Sequence, residues 1–164
     1  MASDPDLHVV LVEPEIPPNT GTIGRLCMAT GARLHLVHPL GFSTDDKSLK
    51  RAGLDYWKDV DLKEWGSYSA YCKERKLQNG KTWYLSSKAD REYWEAEFCQ
   101  GDHLVLGPET RGLPSDVVKE GGACSIRIPM VAGRSLNLAI ATGIVVYEAL
   151  RQIRRGGTPV PGIL

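Results

Sequence analysis

A chain of 164 residues is long enough to bury one substantial core and short for two. Its 24% charged and 42% hydrophobic residues exclude a disordered chain, and no apolar run approaches the length of a membrane span. Twenty basic residues balance twenty acidic ones, which excludes a protein that grips nucleic acid by bulk charge and leaves room for a local basic patch.

The acidic start Met1-Ala2-Ser3-Asp4-Pro5-Asp6 has no signal-peptide core and reads as a flexible tail. Leu7-His8-Val9-Val10-Leu11-Val12 is a buried strand. Pro14, Pro17 and Pro18 then force an extended loop. Asn19 or Thr20 caps a helix running to about Thr30, and Gly31 stops it. A second strand runs from Arg33 to Val37 and ends at Pro39. Asp45 or Asp46 caps a short basic helix ending near Gly53, and residues 56–60 form another strand.

Residues 67–77 read as helix, and Gln78-Asn79-Gly80-Lys81 as a turn. A strand at 82–86 precedes a short helix at 91–98. His103-Leu104-Val105-Leu106 is a strand that runs straight into Gly107, and Pro114 opens a helix at its first turn. The last strand is 124–128. The last helix spans about 135–154, with Leu136, Ile140, Ile144, Tyr147 and Leu150 on one face at helical spacing. A Gly- and Pro-rich tail, 156–164, is expected to be flexible. Alternating strands and helices predict a single α/β domain over 1–164, its mostly parallel sheet flanked by helices on both faces.

Residues 22–51 hold five basic residues against two acidic ones, and residues 143–164 three against one. On charge alone these are ordinary solvated surface. Cys27, Cys72, Cys99 and Cys124 show no CxxC and no metal spacing, so they are expected to be buried and reduced, pointing to a cytoplasmic location. His35 and His38 lack a neighbouring carboxylate cluster, and His8 and His103 fall within strands. No metal is expected.

Chemistry concentrates in three segments that each follow an apolar run: Asn19-Thr20-Gly21-Thr22-Ile23-Gly24-Arg25, residues 107–114, and Ile128-Pro129-Met130 with Arg134-Ser135-Leu136-Asn137-Leu138. Polar strand ends are where open α/β sheets bind ligands, so three of them imply one composite site. Gly107-Pro108-Glu109-Thr110-Arg111-Gly112-Leu113-Pro114 is neither a phosphate loop nor a dinucleotide fingerprint. Two glycines and two prolines fix an unusual turn whose exposed backbone groups can read an adenine edge. Otherwise it is a rigid connection with Glu109 and Arg111 paired on the surface. Ser135 serves as a helix cap, which makes a second cap-type residue at Asn137 harder to account for. Asn19 and Arg25 are a cap and a surface arginine, or ligand contacts. No Ser-His-Asp or Cys-His order stands out, so these residues define a site and no reaction.

Taken in order, the segments resemble the SPOUT superfamily of RNA methyltransferases, and within it the short TrmL-type tRNA wobble-nucleotide 2′-O-methyltransferases. The resemblance covers about residues 7–155. It includes Glu13-Pro14-Glu15-Ile16-Pro17-Pro18 leading into the first segment, and Asp46-Lys47 through Arg51-Ala52-Gly53-Leu54-Asp55-Tyr56. It ends with Val146-Tyr147-Glu148-Ala149 and Arg151-Gln152.

The resemblance implies the SPOUT fold, with a C-terminal trefoil knot, and S-adenosylmethionine as cofactor. It implies cofactor contacts from Leu85, Gly107, Glu109, Gly112, Ile128, Met130, Ser135, Leu136 and Asn137. It implies catalytic roles for Arg25, Asn19, Glu109 and Asn137, a tRNA substrate and a homodimer. The implied target is the wobble cytidine or uridine of leucine tRNAs. Alternatives are 2′-O-methylation of another RNA and a non-catalytic RNA-binding module on the same fold. Ala139-Ile140 stands where relatives often carry a polar pair.

Overall fold

Every side chain of β1 (Leu7–Val12) is buried, as befits a central strand covered on both faces. In the computed structural model, which describes residues 4–52 and 54–155, β1 pairs in parallel with β2 (Arg33–Val37) on one side. The further strands are β3 (Leu62–Trp65), β4 (Thr82–Leu85), β5 (Arg91–Glu92), β6 (Asp102–Leu106) and β7 (Ser125–Arg127). Their order across the sheet is β3-β2-β1-β6-β4-β7-β5, with every neighbouring pair parallel. The order reverses at β1, because the chain moves outward to β3 and then returns to build the other half. Open α/β sheets bind ligands beside such a reversal.

Alternation along the strands divides the core. Leu7, Val9, Leu11, Leu34, Leu36, Leu104 and Leu106 pack with Ile23 and Cys27 of α1 (Pro17–Thr30) and with Val145, Val146, Ala149 and Leu150 of α5 (Leu138–Arg155). Val10, Val12, Val37 and Val105 face the other way, against Tyr71 of α3 (Tyr68–Arg75) and Val118 of α4 (Ser115–Gly121). A short α2 (Lys47–Ala52) starts after Asp46, whose carboxylate accepts the Ser48 N–H at 2.7 Å. Gly53, the expected stop, lies outside the described residues, as do residues 1–3 and 156–164 of the expected tails.

Several boundaries differ from the sequence expectation. Helix α1 begins at Pro17, with Ile16 as its cap residue, so neither Asn19 nor Thr20 caps it. Its end is as expected: Gly31 takes the left-handed conformation at φ 78°. The third strand is not at 56–60, because Leu54–Asp59 forms a 3-10 helix and β3 follows it. Trp57 explains this: its ring covers Gly24 of α1 so closely that a Cβ there would lie 2.7 Å from it. A buried glycine and the aromatic plug that covers it override the local strand propensity. Residues 91–98 are not a helix either. Arg91–Glu92 joins β7 as an edge strand, and a 3-10 turn, Tyr93–Glu95, follows.

The last helix starts at Leu138, three residues later than expected, because Asn137 caps it. The Asn137 side-chain oxygen accepts the N–H groups of Ala139 (2.9 Å) and Ile140 (3.2 Å). Ser135 is therefore not the cap. The buried face of α5 is Thr142, Val145, Val146, Ala149 and Leu150. Of the expected apolar stripe, Leu150 is buried, whereas Leu136, Ile140 and Tyr147 are 37%, 57% and 58% exposed. The helix is apolar on two stripes, and periodicity alone does not say which one the sheet takes.

His8, His35 and His103 sit side by side on β1, β2 and β6, all buried. Trp65 donates its indole N–H to His35 Nδ1 at 3.0 Å, which puts the His35 proton on Nε2. That proton is shared with His8 Nδ1 at 2.8 Å, and His8 Nε2 then donates to Asp6 at 2.9 Å. The direction of the chain keeps the His35 and His8 rings neutral. Burial pushes the His35 imidazole down to about 3 and that of His103 to about 2, and also lowers His8. His8 and His103 are core residues, as expected. Among the cysteines only Cys27 is fully buried; Cys99 is exposed, against expectation.

Candidate functional site

Strands β4, β6 and β7 end at one edge of the sheet, and a cavity of about 620 Å³ opens there. Leu85 closes β4, Gly107 follows β6, and Ile128 lies just past β7; all three line it. Glu109 and Gly112 come from the loop after β6, and Met130, Ser135, Leu136 and Asn137 from the segment before α5. All nine residues expected to contact a cofactor thus face one space, and Asn19 joins them. Arg25 does not line it. The sequence reading missed Ser86, Ser87 and Lys88, which line the cavity after β4. The signal was available, since a polar Ser-Ser-Lys run directly follows an apolar strand, as in the other three segments.

The 107–114 loop is folded back on itself. A Cβ on Gly107 would lie 2.4 Å from the Gly112 carbonyl carbon, a clash with backbone that no side-chain movement relieves. Gly112 sits at φ 66° and donates its N–H to Pro108 O at 2.8 Å. Gly107 and Gly112 therefore answer to steric demands, and the loop wall they build presents main chain to the cavity.

Three distant segments meet in a line of hydrogen bonds. The Glu109 carboxylate accepts the N–H groups of Glu15 (2.7 Å) and Ile16 (3.1 Å), just ahead of α1, and the Asn19 amide N–H at 3.4 Å. Asn19, only 9% exposed, accepts the Asn137 amide N–H at 3.0 Å. Asn137 spends its own oxygen on the α5 cap. Glu109 supplies the acceptor that the proline-rich start of α1 lacks, since Ile16 offers no side-chain cap. The surface pair Glu109–Arg111 does not form. Arg111 instead approaches Glu13 at 3.9 Å, an exposed contact worth little.

Arg25 is exposed on α1, beyond the cavity, with its guanidinium 6.0 Å from the centre of the Tyr56 ring. Such a cation over a π face stays available to a further anionic partner. The site thus pairs a cavity lined by main chain and amide groups with a planar cation outside it.

Comparison with known proteins gives this geometry its context. The SpoU rRNA Methylase family pattern matches residues 6–147. A tRNA (cytidine(34)-2′-O)-methyltransferase of Yersinia pestis is 48% identical over 152 residues, covering 90% of this chain and 94% of that protein. A solved structure concerned with the 2-OH methylation of C/U34 on tRNA superposes with a TM-score of 0.86 at 43% identity, covering 92% of this chain and 97% of the other. An AdoMet-bound rRNA methyltransferase of Sinorhizobium meliloti superposes with a TM-score of 0.78 at 28% identity, covering 96% of this chain and 59% of that one. The sheet order of this chain gathers the 107–114 loop, Asn19 and the 128–137 segment around one cavity, and with the match over residues 6–147 the chain belongs to the SpoU rRNA Methylase family.

Proposed function

We propose that this protein is an S-adenosylmethionine-dependent tRNA 2′-O-methyltransferase acting on the wobble pyrimidine nucleotide. The observation that carries this reading is the convergence of Asn19, Glu109 and Asn137 at the mouth of a backbone-lined cavity in a chain 48% identical to such an enzyme. The cavity volume falls in the range of cofactor pockets, and its wall admits no side chain at Gly107. Leu85, Gly107, Glu109, Gly112, Ile128, Met130, Ser135, Leu136 and Asn137 would hold the cofactor, which supplies an electrophilic methyl group on sulfur.

The protein's own work is positioning. A ribose 2′-hydroxyl is a weak nucleophile, and lining up its oxygen with the methyl carbon and sulfur removes much of the barrier. With the cofactor bound, its methyl group would pass from the sulfonium to the ribose oxygen, leaving a neutral thioether, and the hydroxyl proton would pass to solvent water. Arginine is protonated at all relevant pH and makes a poor base. Arg25 is better suited to clamp a phosphate and ribose, its fork polarising the hydroxyl. Asn19 and Asn137, locked by Glu109, hold the methyl donor side of that line.

A homodimer is part of the same reading. Ile140 and Tyr147, seven residues apart on one face of α5, are exposed, with the half-buried Gly143 between them on that face. A Cβ on Gly143 would meet nothing within 4 Å, so the groove there is open to a second copy. Leucine tRNAs as substrates and a cytoplasmic location, without a metal, complete the proposal.

The test is calorimetry with S-adenosylmethionine followed by transfer of a labelled methyl group to total tRNA. Binding with transfer to tRNA ribose is expected. Absent cofactor binding, even with tRNA present, would favour an RNA-binding module, and label on ribosomal RNA alone would favour another target.

A further inference from the structure

Two carboxylates cross the gap between the cavity wall and α1 in opposite directions. Glu109, on the wall, accepts the backbone N–H groups of residues 15 and 16. Glu15, on the α1 side, reaches back to Thr110. It accepts the Thr110 backbone N–H at 3.1 Å and the Thr110 hydroxyl at 2.7 Å on one oxygen, with the other oxygen 3.0 Å from that hydroxyl. The two sets of bonds form a reciprocal clasp that closes over about 95 residues of chain.

The backbone at Glu15 is fixed from behind. Gly41 lies so near that a Cβ there would be 2.8 Å from the Glu15 Cα, and its N–H bonds the Pro14 carbonyl at 2.9 Å. Pro14, Pro17 and Pro18 stiffen the segment on both sides, so residue 15 and the start of α1 move as one piece. That piece carries Asn19 in its first turn and Arg25 in its second half.

We propose that Glu15 is a positioning residue for methyl transfer: by holding Thr110 it sets the register between the cofactor wall and the helix that presents Asn19 and Arg25. Glu15 touches neither the cavity nor the proposed path of the methyl group, and it acts through the loop it grips. The Thr110 bonds hold its carboxyl below the usual carboxylate range, so the clasp is made by the ionised form. Because the carboxylate is exposed, its stability contribution is small, and its effect belongs to geometry.

This inference rests on the methyltransferase reading, and three single variants and one double variant test it. In Glu15→Ala, kcat at saturating cofactor and tRNA is expected to fall by roughly ten- to a hundredfold, as for loss of charge-assisted hydrogen bonds, with the melting temperature near that of the parent. Glu15→Gln, whose amide oxygen still accepts from Thr110, should recover most of the rate. Thr110→Val should lose part of it, and adding Glu15→Ala to Thr110→Val should cost less than the two separate losses combined.

Hydrogen exchange reads the clasp without catalysis. In Glu15→Ala, the amides of residues 15, 16 and 110 should exchange faster while the rest of α1 keeps its protection. If the parent protein transfers no methyl group, the methyltransferase reading fails and the exchange result still judges the clasp. Unchanged exchange at residues 15 and 16, strictly additive losses, or an unchanged kcat in Glu15→Ala would each overturn the proposal. If Glu15→Ala does not fold, Thr110→Val alone must lower kcat and speed exchange at residues 15 and 16; failure to do so overturns it equally.

Discussion

Arg25 and the cavity residues separate two jobs, and single substitutions should show the division. Arg25→Ala is expected to abolish methyl transfer while leaving cofactor affinity by calorimetry nearly intact, because the side chain lies outside the cavity. Arg25→Lys should rescue poorly, since a point-charge ammonium does not reproduce a planar fork. Full activity in Arg25→Ala at saturating tRNA and cofactor would return the residue to ordinary surface. Gly107→Ala should do the reverse and cripple cofactor binding, because its methyl group meets backbone at 2.4 Å. Ser135→Ala removes at most one hydrogen bond and should weaken binding only partly, by about 1 kcal/mol. The three segments of the candidate site were legible because cap-type and turn-type residues cluster after apolar runs, whereas Leu85 and the cofactor roles came from the resemblance to the SPOUT superfamily. Asn137 shows both the strength and the error of that logic. It is a cap after all, for a helix that starts later than expected, and its amide also reaches Asn19. No local pattern announces a contact between residues 118 positions apart.

Among the elements, buried strands were the easiest to read. Leu7–Val12 and Arg33–Val37 are mostly apolar runs bounded by prolines and glycines, and these two strands fall where expected. The misread segments are those whose shape is imposed by neighbours. Residues 54–59 take a 3-10 path because Trp57 plugs the hollow at Gly24, and Arg91–Glu92 is extended because β7 offers an edge. The start of α5 yields a prediction at this scale. Asn137→Ala removes the cap and the Asn19 bond together, so it should lower stability by about 1 kcal/mol or more and reduce activity. Asn137→Asp keeps the cap and loses the donor to Asn19. It should restore most of the melting temperature and little of the activity; equal recovery of both would show that the Asn19 bond is irrelevant.

At the level of the whole molecule, the reversal of strand order at β1 brings residues 19, 109 and 137 together, and order across a sheet is not written in periodicity. The same sheet holds the three neutral histidines. Unfolded, each titrates near 6.5; folded, burial lowers all three, His35 to about 3 and His103 to about 2. Below about pH 6.5 the unfolded chain binds more protons than the native one, so stability present above that pH is lost progressively as pH falls toward the folded values. Denaturant midpoints should therefore drop between about pH 7 and about pH 5, and a flat profile would contradict neutral buried rings. The exposed stripe on α5 predicts a dimer by light scattering at micromolar concentration. Tyr147→Glu should yield a monomer of 18.0 kDa that stays folded, since Tyr147 lies outside the core. A parent protein that is already monomeric would sink the interface.

The central claim, that this fold methylates a wobble ribose, is tested most directly by nucleotide-resolved mass spectrometry of tRNA incubated with the protein and isotope-labelled S-adenosylmethionine. The account predicts a labelled methyl group on the 2′-oxygen of the first anticodon pyrimidine, and none in an Arg25→Ala reaction. Label on a base, label at another ribose, or cofactor turnover without labelled tRNA would contradict it.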